Sequence, residues 1–83
     1  MIERLGSLEN AYLVGDYAAG KDTGVIDVLL IGNVNKSYLT DLIEKAEELV
    51  QRKIRYLVMT EIELKHYTQQ YTGQILLLWS KLK

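Results

Sequence analysis

The chain has no cysteine, which removes disulfides, thiolate metal sites and cysteine nucleophiles together. Its one histidine, His66, cannot build a zinc site without several carboxylate helpers. Neither sign of charge dominates. Ten Lys and Arg against eleven Asp and Glu leave a net charge of -1, and both signs are spread along the chain. A nucleic-acid module normally presents a basic face or stripe, so this chain by itself is not expected to grip DNA or RNA. Long hydrophobic runs are missing too: none approaches the ~20 residues needed to span a bilayer. The opening "MIERLGSLEN" lacks the apolar segment of a signal peptide, which makes the cytoplasm the expected compartment.

What remains is an ordinary globular composition, 48% hydrophobic and 25% charged over 83 residues. That length gives one domain, spanning 1–83, without repeat, linker or low-complexity segment. Its core must be small, so self-association or burial against a partner domain is expected.

The first residues read as a short helical start, followed by a strand from Leu8 to Gly15. "DYAAGKDTG" carries two glycines, two aspartates and a lysine, and forms a loop or one helical turn. "VIDVLLIG", from Val25 to Gly32, is β-branched and apolar on both faces, hence a central strand, with Gly32 ending it. In "NVNKSYLTDLIEKAEELVQRK" apolar Tyr38, Leu39, Leu42, Ile43, Ala46, Leu49 and Val50 recur at helical spacing. Asn35 suits its N-cap, Val34 and Leu39 a hydrophobic staple, and Arg52 and Lys53 the negative end of its dipole. "EKAEE" reads as its solvated face. "KIRYLVMT" predicts a third strand, and Thr60 to Glu63 has the spacing of a capping box opening a second helix through "EIELKHYTQQ". Five successive apolar residues, Ile75 to Trp79, favour a last strand over a terminal helix. Tyr12 and Tyr56 read as core, and His66 as a half-exposed helix residue.

The order β-β-α-β-α-β implies a small mixed sheet with helices packed on it, α/β or α+β in class. The strand–helix–strand unit from Val25 to Thr60 should be a right-handed parallel crossover, and the short loop before it an antiparallel connection. Gly15 and Asp16, Val25 to Asp27, and Ile54 to Arg55 then converge at one end of the sheet. A carboxylate on a buried strand is costly unless paired. Asp27 therefore needs a metal ion, amides of the glycine loop, or a cation such as Arg55 or Lys21. A loop rearrangement bringing Asp22 toward it is the lesser alternative. "GKDTG" lacks the spacing and the Lys-Ser/Thr pair of a P-loop.

From Gly15 to Gly32 the chain resembles the signature of the polymerase-beta-type nucleotidyltransferases. That signature is a strand ending in Gly-Ser, a loop often written A-R-G, and a strand opening Asp-hydrophobic-Asp. "GDYAAG" stands where "GSYARG" would be, and "VID" where "DID" would be. "VLLIG", the amphipathic helix and "RKIRYLVMTEIEL" carry the likeness over nearly the whole chain. In detail it is most similar to the nucleotidyltransferase-like domain that follows a winged-helix DNA-binding domain in some bacterial transcriptional regulators.

The resemblance implies a site where carboxylate-held metal ions clamp a triphosphate and activate a hydroxyl. Its departures fall on the chemistry. Val25 occupies the first carboxylate position, Asp16 the serine position, and Arg55 the place near the third strand's start where another acid is expected. One surviving acid, Asp27, cannot hold two metals. Gly15, Asp16, Val25, Asp27 and Arg55 thus outline a vestigial site, with no catalytic residue, metal or cofactor expected. If Asp27 and Arg55 face each other on adjacent strands, a charge-assisted pair satisfies both.

The implied function is a degenerate domain of a longer regulator, acting in ligand sensing or protein interaction and reaching DNA only through a separate domain. Two alternatives stay open. One is an active, antitoxin-type minimal nucleotidyltransferase using Mg-NTP; the other is a purely structural dimerisation domain. The number of carboxylates at the convergent sheet edge separates the first two.

Overall fold

A computed structural model describes residues 6–81. In chain order the elements are β1 (Gly6–Val14), α1 (Gly15–Ala18), β2 (Val25–Val34), α2 (Lys36–Val50), β3 (Lys53–Met59), α3 (Glu61–Gln70) and β4 (Leu76–Ser80). The expected β-β-α-β-α-β order is therefore present, with the loop after β1 forming the single turn α1. The helical start falls largely on residues 1–5, outside the described residues; Gly6 and Ser7 belong to β1.

The sheet runs β3-β2-β1-β4. β1 is antiparallel to both neighbours, while β2 and β3 are parallel. α2 carries the chain outward from β2 to edge strand β3, and α3 carries it back across the sheet to β4. Crossovers in opposite directions keep one hand only if their helices lie on opposite faces. Burial follows that rule. Val28, Leu30 and Val34 pack with Leu39, Leu42 and Ile43 of α2, whereas Leu29, Ile31 and Met59 pack with Leu64 and Tyr67 of α3. A bulge between Leu8 and Asn10 shifts β1 by one residue, which lets Leu8 share the α2 face with Ala11. Ile31 and Leu39 are fully buried, each stabilising the fold by about 1.5–3 kcal/mol.

Local signals fix the helix ends. Asn35 Oδ1 accepts the Ser37 and Tyr38 amides, and Val34 and Leu39 join one cluster as the staple requires. Thr60 and Glu63 form the reciprocal capping box. Arg52 Nη1 donates to the Val50 carbonyl at the end of α2.

Four expectations change. Gly32 does not end β2: with φ 140° it stays paired to Leu8 beside the bulge, and the strand continues to buried Val34. Tyr56 is exposed because β3 is an edge strand with a neighbour on one side only. Tyr38, Leu49 and Val50 are also exposed, on the margin and last turn of α2 beyond the residues that meet the sheet. Glu47, read as solvated, is half-buried and accepts the Ile54 amide at 2.8 Å, fastening α2 to the start of β3. No helix among the described residues is long and apolar enough to cross a membrane.

Candidate ligand-binding site

The strand register aligns Val14, Asp27 and Arg55 across β1, β2 and β3. Alternation puts Asp27 on the face of Leu29, the face that α3 covers. Among the partners open to Asp27, Arg55 is the one it takes. Arg55 Nε donates to Oδ1 at 2.7 Å and Nη2 to Oδ2 at 3.1 Å, a two-point pair. The carboxylate, hydrogen-bonded and oppositely charged, raises the guanidinium pKa above its usual value. The two side chains are 27% and 66% exposed respectively, so the pair occupies the rim and not a sealed interior. A pair so placed is screened by water and contributes little to stability.

Gly15 makes the turn out of β1 with φ 76°, and a Cβ there would stand 2.6 Å from Asp27 Oδ2. The position therefore requires glycine on two counts, backbone and space. Its amide donates to the Tyr71 hydroxyl at 2.7 Å, so the loop amide serves a tyrosine and not Asp27. Asp16 is exposed in α1, where its carbonyl accepts the Ala19 and Lys21 amides. Its charge reaches Arg55 only through space. Val25 opens β2 opposite Lys53, half-buried on the Asp27 side of the strand.

The sequence reading missed two residues. Tyr67 and Tyr71 stack with ring centroids 5.1 Å apart and planes at 23°. Their spacing of four residues on α3 and its C-cap was the available signal. Gly73 permits the arrangement, because a Cβ there would collide with the Tyr71 hydroxyl. Burial raises the Tyr67 phenol pKa, with Tyr71 and the Asp27 charge adding to the effect.

Together these groups line an open cleft of about 320 Å³. Buried Val14 and Leu29 form its floor, Tyr67 and Tyr71 an aromatic wall, Asp27 and Arg55 a charged end, and Leu57 an exposed apolar lip. Such a mixture of apolar surface and a few polar groups is the usual character of small-molecule sites.

The donor set does not fit a pair of catalytic metals. Both Asp27 oxygens are engaged by Arg55, Val25 offers no ligand, and Asp16 sits exposed on α1. Among the described residues no three His, Cys, Asp or Glu side chains gather as a metal cluster. Asp22, the alternative acid, is drawn the other way. Arg52 grips it through Nε, at 3.1 and 3.0 Å, and through Nη2, while its Oδ1 also accepts the Gly24 amide. The Arg52 guanidinium lies 5.6 Å from the Tyr17 ring centroid, closing a clamp between the α1–β2 loop and the end of α2. These hydrogen bonds depress the Asp22 pKa to about 2.

Comparison with protein-family models, curated proteins and solved structures gives no match to this chain.

Proposed function

We propose that this chain is a non-catalytic, nucleotidyltransferase-like domain that senses a small ligand for a bacterial transcriptional regulator in the cytoplasm. The observation that carries the reading is the Arg55 guanidinium seated on both oxygens of Asp27. In a working enzyme of the type the sequence resembles, that carboxylate would hold metal ions beside other acids. Here its charge is balanced by the chain itself, and Val25 and Asp16 stand at the positions that the resemblance gives to another acid and a serine.

The cleft supports sensing over pure assembly. Its aromatic wall, apolar floor and charged end offer a ligand both area and orientation. Contact with DNA falls to a separate DNA-binding domain, since this chain carries no excess of positive charge. Incubation with radiolabelled nucleoside triphosphates, magnesium or manganese, and candidate acceptors tests the loss of chemistry. The expected result is no transfer and no hydrolysis; turnover abolished by Asp27→Ala would establish the active alternative.

A further inference from the structure

The occupant suited to this cleft can be read from what lines it. Arg55 spends Nε and Nη2 on Asp27, leaving the two N–H groups of Nη1 outside the pair. The guanidinium is also the more exposed member, 66% against 27%. A molecule approaching the charged end therefore meets a cation first. Beside it stand Tyr67 and Tyr71, Leu57 at the lip, and the floor of Val14 and Leu29. The only polar side chains in that lining are the ion pair and three phenols, those of Tyr67, Tyr71 and Tyr56.

Size and charge narrow the choice. About 320 Å³ lies at the lower end of ligand pockets, enough for one or two fused rings. A triphosphate would bring several negative charges to one arginine already shared with Asp27, with Asp16 close enough to act on that same guanidinium. A single anionic group suits the site; a polyanion does not.

We propose that the cleft binds a small planar aromatic monocarboxylate, its rings against Tyr67, Tyr71 and Leu57 and its carboxylate on Nη1 of Arg55. The inference rests on the sensing role given above and specifies the class of molecule sensed. A carboxylate meeting Nη1 leaves the Asp27 bonds intact, so binding extends the existing pair without breaking it. Aromatic contact adds area at little entropic cost, because the tyrosines are already ordered by their stack and by the Gly15 amide.

The test is a two-dimensional NMR titration of the isotope-labelled protein with 2-naphthoate, alongside neutral 2-naphthalenemethanol, cyclohexanecarboxylate and ATP. The proposal expects saturable shifts from 2-naphthoate at the Gly15, Tyr67 and Tyr71 amides and at Arg55 Nε. It expects the other three to bind more weakly. Arg55→Lys, which keeps the charge and loses the planar fork, should weaken naphthoate binding about tenfold. Tyr67→Leu should weaken it as well, and the dispersion of each variant's spectrum verifies folding. Naphthoate shifts that are absent or scattered outside the cleft would overturn the proposal. So would equal binding of the neutral analogue, or tighter binding of ATP. Those outcomes leave the non-catalytic reading standing, since that reading fails only on nucleotide turnover.

Discussion

Gly15 and Asp27 approach so closely that a single methyl group on Gly15 would sit 2.6 Å from the Asp27 carboxylate. Turning the carboxylate aside would break its two-point pair with Arg55, and Asp27 Cβ also lies 3.4 Å from the added carbon. Gly15→Ala therefore meets two costs, a left-handed backbone and a collision, and is expected to lose about 2–4 kcal/mol. Gly20 provides the control. It has φ 86°, and a Cβ placed there would meet nothing within 4 Å, so Gly20→Ala should lose only about 1 kcal/mol. Urea unfolding of the two variants measures the difference.

The Asp27–Arg55 pair should influence the cleft more than the stability of the fold. A double-mutant cycle with Asp27→Asn and Arg55→Gln is expected to give a small coupling that shrinks with added salt, as exposure dictates. Asp27→Asn also removes a negative charge that raises the Tyr67 pKa. Tyrosinate absorbance in the variant should accordingly appear at lower pH than in the parent protein. An unchanged titration would mean that Asp27 and Tyr67 do not share a site.

The clamp at Asp22 gives the fold a defined acid response. Its pKa is about 2 in the folded chain, against 3.8 when unperturbed. As pH falls from about 4 toward 2, the unfolded chain takes up this proton first, so the folded state loses stability across that window. Glu47, lowered chiefly by the Ile54 amide, acts in the same direction. Carboxyl-carbon NMR should place the Asp22 titration near 2, and Arg52→Ala should move it up toward 3.8. Urea midpoints should converge for the two proteins as the pH is lowered.

Gln51 closes α2 in the left-handed region, with φ 57°. Glycine adopts that conformation without the Cβ penalty, so Gln51→Gly should stabilise by about 0.5–1 kcal/mol. The gain is reduced by loss of the Gln51 Nε2 bond to the Glu48 carbonyl. Thermal unfolding of the variant checks the sign.

Much of this architecture is legible in the sequence because its causes are local. Asn35, Thr60 and Glu63 cap helices through bonds spanning two or three residues. The Asp27–Arg55 pair is legible for a different reason: a parallel crossover aligns the starts of β2 and β3, and register does the rest. The tyrosine wall is not legible in that way. Which sheet face α3 covers, and how far its C-terminal turn leans over Gly15, are tertiary facts. Asp22 and Arg52 likewise meet only because two separate loops are brought together at the sheet end. Tyr56 follows the strand pattern of a core residue and is exposed because of the strand order, which no local pattern encodes.

The central claim is that Asp27 is committed to Arg55 and not to a metal ion. Manganese titration followed by paramagnetic broadening measures this directly, because the ion erases signals from groups close to it. The claim predicts no selective loss of the Gly15, Asp27 and Arg55 resonances in the parent protein, with or without nucleoside triphosphate. Saturable broadening centred on Asp27, abolished by Asp27→Asn, would contradict it.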